Sequence, residues 1–132
     1  MSSADISIFT ERVGNCGGFT FPKFCRKKLC AGWKAKGDHR GLIADRQEWV
    51  KGAPISILIV ADETKFGSND ARAKVTMGTD AGIVSENINL FCAGMGFVTR
   101  PRMSMDVPAI KKLLKFSESE VPLLNNPVGY SK

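Results

Sequence analysis

The sequence predicts one α+β domain in which a sheet packs against a single long helix. Residues Ile55–Ala61 are β-branched and almost wholly apolar, which is typical of a strand buried on both faces. Apolar residues between Ile83 and Met95 recur at helical spacing. Strands and helices alternate along the chain, so a layered α/β or α+β arrangement is expected, and 132 residues suffice for one core.

The first third of the chain is predicted to hold a short strand and an irregular basic segment. Residues Ile6–Phe9 alternate between apolar and polar and predict the strand. Glycine and proline repeatedly interrupt residues 12–36, which indicates a long loop or an irregular hairpin. This segment carries seven Lys and Arg and no acid, within a net charge of +6. Such a patch can attract nucleic acid or phosphate, and a solvated loop is the alternative.

The middle of the chain is predicted to form two helices around the buried strand. Residues Leu42–Val50 predict a short helix that ends before Pro54. The polar stretch Asp62–Lys74 predicts a loop. The long helix is expected to begin at Thr79 or Asp80, whose side chains can cap free backbone N–H groups.

One face of that long helix is predicted to be buried. Gly96 follows the face, where a left-handed C-cap is common. Cys92 is predicted to be a small core residue. A buried Asn87 would need hydrogen-bond partners, either backbone or a ligand. The face consists of Ile83, Val84, Asn87, Ile88, Phe91, Cys92 and Met95.

The last part of the chain is predicted to add two strands and a helix. Phe97–Thr99 follows the long helix as a strand. Asp106 can cap a helix with Pro108 in its first turn. Leu123–Val128 predicts the final strand, and Pro127 favours an edge position or a strand end.

Several classes of protein and site are excluded or disfavoured. The longest apolar run is far too short to cross a bilayer, and the first residues, MSSADISIFT, lack the features of a signal peptide, so a cytoplasmic location is expected. The sequence contains no P-loop and no G-x-G-x-x-G after a strand. A single histidine, His39, gives little support for a catalytic triad.

The four cysteines are expected to be reduced thiols in that compartment. The spacing Cys25-x4-Cys30, with His39 and the distant Cys16, loosely suggests zinc. We weigh this metal site only as an alternative.

Three segments in order resemble the FMN-dependent nitroreductase superfamily. The first is Glu48–Pro54 together with the strand that ends in Val60-Ala61-Asp62. The second is Asp80–Asn87, followed by Leu90 and Met95-Gly96-Phe97. The third is Pro127–Lys132. The nearest branch is the thiazole/oxazole dehydrogenase-like nitroreductases. The resemblance covers residues 37–132 and leaves out the basic segment.

The resemblance implies an α+β fold with a nitroreductase-like sheet and a long central helix. It also implies that this fold is truncated at its N-terminus. It also implies a homodimer, FMN between the subunits, and electron transfer from NAD(P)H to an unidentified small-molecule acceptor. Cationic side chains at the ends of elements can hold an anionic flavin group through charge-assisted hydrogen bonds. The expected cofactor-binding residues are Arg100, Pro101, Arg102, Gly129 and Lys132, and no catalytic residue is assigned.

The sequence also departs from the pattern of that superfamily. The Arg-x-Ser-x-Arg motif that commonly grips the FMN phosphate has no counterpart, and Glu86 stands where Gln is usual. Pro101 lies near a position that is often Gly, and proline cannot donate a backbone N–H to the flavin. Two alternatives therefore stay open: a truncated family protein with impaired or no catalysis, and a basic nucleic-acid or metal-binding module built on residues 12–36.

Overall fold

The described part of the chain forms a five-stranded mixed sheet with helices on both faces. The computed structural model describes residues 7–13, 30–34, 39–67 and 70–130. The strands are β1 Ser7–Val13, β2 Cys30–Lys34, β3 Ile55–Asp62, β4 Phe97–Thr99 and β5 Glu120–Tyr130. The helices are α1 Arg40–Ala44, α2 Ala71–Gly94 and α3 Val107–Leu114, with 3₁₀ turns at Glu48–Gly52 and Glu63–Phe66.

Strand β3 occupies the centre of the sheet, as its apolar run predicts. The strand order is β2-β1-β3-β5-β4. Strand β3 pairs with β1 in parallel and with β5 in antiparallel orientation. Its two edges are therefore both paired, and its two faces are covered by separate clusters, Leu58 and Val60 on one side and Ile59 on the other, which explains why successive residues are apolar.

The first two strands form an antiparallel pair at one side of the sheet. Strand β1 is longer than the predicted Ile6–Phe9 and extends to Val13, while β2 pairs with it in a shifted register. The predicted irregular segment thus contributes Cys30–Lys34 to the sheet. Most of that segment, including Cys16 and Cys25, lies outside the described residues.

The core is divided by the sheet into two clusters. Leu58 and Val60 of β3 are buried on one face, together with Ile43, Val50, Ile110 and Leu114. Ile59 is fully buried on the other face against Ala81 of α2. Burying each large aliphatic side chain contributes about 1.5–3 kcal/mol, so β3 stabilises both layers at once.

Helix α2 begins eight residues before the predicted Thr79, so the loop predicted to extend to Lys74 is wrong at its end. Asp70 caps the helix by accepting a hydrogen bond from the Ala73 backbone N–H at 2.8 Å. The Thr79 hydroxyl donates to the Val75 carbonyl at 2.9 Å, so it bonds within the helix instead of capping it. At 24 residues the helix is about 36 Å long.

The buried face of α2 differs from the predicted one. Ala73, Met77, Ala81, Ser85 and Cys92 are buried. Of the predicted stripe, Cys92 lies in the core as expected, and burial raises the pKa of its thiol. Val84 and Ile88 are half-buried and pack against the cluster of Ile59 and Ala81, as predicted. The remaining members are exposed: Ile83, Asn87, Phe91 and Met95. The helix packs its smaller side chains closely on the sheet, which leaves bulky apolar ones outside.

The helices on the other face are short, and α3 begins with a side-chain cap whereas α1 does not. The predicted helix Leu42–Val50 is divided into α1 and a 3₁₀ turn, because Asp45 adopts a positive φ of 48° after α1. Helix α3 begins as predicted, with Asp106 Oδ1 accepting from the Ala109 backbone N–H at 3.0 Å. Strand β5 is longer than predicted and runs from Glu120 to Tyr130.

Candidate functional site

A cavity of about 700 Å³ opens where β4 and the end of β5 meet the turn that precedes β3. This volume lies within the range of small-molecule sites, which is roughly 300–1,000 Å³. Its walls are mainly apolar and aromatic. They are formed by Trp49, Gly52, Ala53, Pro54, Val98, Thr99, Arg100, Pro127, Gly129 and Tyr130.

The cavity lies beside an interruption of the ladder between β4 and β5. Thr99 pairs with Val128, and Arg102 pairs with Asn125, in one continuous register. In that register Arg100 stands opposite Pro127. Because proline has no backbone N–H, it cannot donate the ladder bond that this position would otherwise supply. Pro127 was predicted to mark an edge or a strand end; it lies inside β5, at the point where β4 has ended.

Gly129 forms part of the floor of the cavity. It pairs with Val98. A Cβ at this position would lie 3.7 Å from Pro54 Cδ and 4.0 Å from Val98 Cγ2, which are ordinary contact distances. The glycine therefore leaves open a space that a larger side chain would fill.

Arg100 is an exposed cation at the wall of the cavity, and among the described lining residues it alone carries a charge. An anionic ligand group in the cavity would find its charge-assisted hydrogen bonds there. The structure therefore brings two of the expected cofactor-binding residues, Arg100 and Gly129, to one cavity. Pro101 follows Arg100 without lining the cavity, and Lys132 lies outside the described residues.

Arg102 lies next to this site, but its side chain is buried and bonded within the protein. Its Nη1 donates to the Ile43 carbonyl at 2.7 Å and its Nη2 to the Ala44 carbonyl at 3.0 Å. Its Nε donates to Gln47 Oε1 at 2.9 Å. Desolvation lowers the pKa of Arg102. The guanidinium was expected to contact a cofactor, but these three acceptors inside the fold already take its hydrogen bonds.

Two aromatic rings border the cavity from different elements. The Trp49 side chain is half exposed and follows α1 on the 3₁₀ turn. The Tyr130 ring lies 5.5 Å from the Phe97 ring, centroid to centroid, in an edge-to-face arrangement. Flat apolar walls of this kind suit a planar ligand.

Buried polar contacts that connect β5 to α2 were not predicted from the sequence. Asn126 is fully buried, and its Oδ1 accepts from the Ser85 hydroxyl at 3.0 Å. Its Nδ2 donates to Asn89 Oδ1 at 3.3 Å. Two adjacent asparagines in a strand are a signal that could have indicated such bonding, because asparagine is depleted in strands unless it is bonded.

The metal alternative finds no support in the part of the chain that the structure describes. No group of three or more His, Cys, Asp and Glu side chains there could hold a metal ion. His39 is described, whereas Cys16 and Cys25 lie outside the described residues. Within those same ranges, no helix combines the length and apolarity needed to cross a membrane.

The fold is similar to that of a crystal structure from Ralstonia eutropha JMP134 whose description assigns it provisionally to the nitroreductases. The TM-score is 0.54 at 20% identity. The match covers 58% of this chain and 37% of that chain, so the present chain spans well under half of its length. No protein-family profile and no curated protein sequence matches the chain. The chain therefore has a nitroreductase-like α+β fold, with a sheet packed against one long helix, as the sequence predicts.

Proposed function

We propose that the chain supplies the flavin cavity of a nitroreductase-type, FMN-dependent oxidoreductase that passes electrons from NAD(P)H to a small-molecule acceptor. The observation that carries the proposal is the cavity between β4, the end of β5 and the Glu48–Gly52 turn. Two of these segments, the turn and the end of β5, belong to the stretches on which the sequence resemblance rests. Placement in the thiazole/oxazole dehydrogenase-like branch and a cytoplasmic location remain parts of this proposal.

The residues present fit the ring system of a flavin. Trp49 and Pro127 provide flat apolar walls, and Gly129 leaves the floor open. Arg100 would stabilise an anionic part of the cofactor. When bound, FMN would supply the two-electron chemistry between NAD(P)H and the acceptor, and the protein would bind it, orient it and exclude water.

Replacing Arg100 by Gln is expected to weaken FMN binding about fivefold, because an exposed charge-assisted hydrogen bond is lost. Titration of FMN followed by quenching of flavin fluorescence measures this change. Lys112→Gln is the matched control, since it removes one positive charge from α3, outside the cavity lining. Equal affinity for wild type and Arg100→Gln would contradict the assigned role.

The second proposed component is a homodimer formed through the outer face of α2. Val75, Ile83 and Leu90 are 69%, 58% and 62% exposed. Near them, Gly78 and Gly82 have no heavy atom from outside their own stretch of helix backbone within 4 Å of the position a Cβ would take. A second copy could therefore approach the helix backbone closely, and its apolar side chains would cover this face.

The charges along α2 favour a second copy in antiparallel orientation. Arg72 and Lys74 lie near the start of the helix, and Glu86 lies in its second half. If two copies cross near Gly78 and Gly82, Lys74 of one copy approaches Glu86 of the other. Opposite charges then face each other at both ends of the interface.

Replacing Gly82 by Arg is expected to convert the dimer to a monomer, because a long charged side chain blocks the approach of the second helix. Sedimentation velocity at several protein concentrations measures the mass. Gly41→Arg on α1 is the control, since a Cβ at Gly41 also meets nothing within 4 Å. A wild-type monomer at all concentrations, or a dimeric Gly82→Arg, would refute this interface.

A flavin-binding protein with impaired catalysis is the second candidate. One observation favours it: the Arg102 guanidinium is bonded within the fold. The cofactor phosphate would then rely on Arg100 or on groups outside the described residues. FMN binding without bleaching by NAD(P)H would favour this candidate over the active enzyme.

A further inference from the structure

The side chain of Arg102 joins the two sides of the candidate cavity. Arg102 belongs to the segment that follows β4. The three hydrogen bonds that its guanidinium donates all go to α1 and to the residues just after α1. The acceptors are the Ile43 and Ala44 carbonyls and Gln47 Oε1, at 2.7, 3.0 and 2.9 Å. The two carbonyls lie at the C-terminal end of α1, where backbone oxygens lack partners within the helix. A guanidinium can satisfy several such acceptors at once because its donors are fixed in a plane.

The same guanidinium lies over the indole ring of Trp49. The distance from Arg102 Cζ to the ring centroid is 5.7 Å, within the range of a cation–π interaction. Trp49 is half exposed and lines the cavity, and it is only two residues beyond Gln47. Arg102 therefore holds both the backbone before the indole and the ring itself.

The backbone around Arg102 is fixed as well. Arg102 and Asn125 exchange both backbone hydrogen bonds at 2.8 Å, which ties the segment to β5. The Ser104 hydroxyl donates to Asp45 Oδ2, and this bond lowers the pKa of that carboxyl. The Asp106 backbone N–H donates to the Leu42 carbonyl at 2.8 Å. The segment after β4 thus forms a rigid base from which Arg102 extends.

We propose that Arg102 is a positioning residue that fixes Trp49 as one wall of the cavity and thereby sets the width available to a planar ligand. Only 6% of Arg102 is exposed, so it acts through the indole and does not reach the ligand. The proposal rests on the proposed function only for the choice of FMN as the ligand probe. The position of Trp49 can be tested with no ligand present.

The ligand-free test uses tryptophan fluorescence in a Trp33→Phe background, which leaves Trp49 as the sole tryptophan. In Arg102→Gln the indole is expected to become mobile, with about threefold faster quenching by acrylamide and lower anisotropy, because the hydrogen bonds and the cation–π contact are lost. Arg102→Lys keeps the positive charge but lacks the planar set of N–H donors of a guanidinium, so quenching and anisotropy of Trp49 between those of wild type and Arg102→Gln are expected. Lys112→Gln, which removes an exposed cation of α3 outside the cavity lining, is expected to leave Trp49 unchanged. Trp49 quenching that is identical in wild type and Arg102→Gln would overturn the proposal.

The ligand test separates an indirect role from direct contact. FMN titrations are compared for Arg102→Gln with Trp49 present and in a Trp49→Ala background. We expect about fivefold weaker binding in the first case and no further loss in the second, because Arg102 acts through the ring. A full fivefold loss in the Trp49→Ala background would show that Arg102 contacts the ligand and would overturn the proposal.

Two features keep the outcomes distinguishable. If wild-type protein does not bind FMN, the proposed function fails while the fluorescence test still decides the role of Arg102. If Arg102→Gln does not fold by circular dichroism, Gln47→Ala replaces it. Gln47→Ala removes one of the three hydrogen bonds of the Arg102 guanidinium by changing an exposed side chain. Increased mobility of Trp49 in this variant supports the proposal, and unchanged mobility overturns the proposal.

Discussion

Replacing Ile59 by Ala is expected to lower the free energy of unfolding by about 3 kcal/mol, the usual range for a buried Ile→Ala change being 2–5 kcal/mol. Ile59 is fully buried on the central strand β3 and packs against Ala81 of α2. Removing its outer carbons opens a space between the sheet and the long helix. Because both layers are rigid, neither can move far enough to close it.

The strand itself provides a matched control for this prediction. Ile55 lies on the same strand and is 39% exposed, so Ile55→Ala removes the same atoms from a position that water already reaches. We expect it to cost less than about 1 kcal/mol. Urea unfolding followed by circular dichroism at one protein concentration measures both variants. Equal losses would contradict the assignment of β3 as the strand on which both cores depend.

Replacing Gly129 by Val is expected to reduce FMN affinity at least about a hundredfold, because the side chain fills the floor of the cavity and displaces the ring. A Cβ at this position already touches Pro54 Cδ and Val98 Cγ2 at ordinary contact distances. The added methyl groups therefore extend into the open volume or push these walls apart. FMN titration measures the affinity, and the melting temperature shows whether the fold is retained.

Gly129→Ala serves as the graded control for this prediction. Its single methyl group fits without close contacts, so we expect a loss of about threefold or less. A β-branched residue suits a strand position, and folding of the Val variant should be affected little. If Gly129→Val binds FMN as tightly as wild type, the flavin does not occupy this cavity.

The elements that could be predicted from the sequence are those whose signal is local. Strand β3 is predicted by a β-branched apolar run, and the start of α3 by a capping Asp106 with Pro108 in the first turn. The start of α2 was missed because only Ala73 and Met77 are buried there, while the residues around them, including the apolar Val75, are exposed. Small side chains that pack closely give a weak hydrophobic pattern.

The site depends on contacts between distant parts of the chain, and these have no local signal. The interruption opposite Pro127 becomes visible only when β4 and β5 are aligned in register. Arg100 and Arg102 are similar in the sequence, yet one is exposed at the cavity and the other is buried against α1. The partners of Arg102 lie more than fifty residues earlier, a separation that sequence patterns alone cannot bridge.

We propose that this fold carries a flavin cavity beside the end of β4, and the absorbance spectrum of the purified protein tests this claim most directly. After incubation with FMN and removal of unbound cofactor, we predict near-ultraviolet and blue flavin bands at about one FMN per chain, which NAD(P)H then bleaches. Protein that remains colourless after the same treatment, while folded by circular dichroism, would contradict the claim.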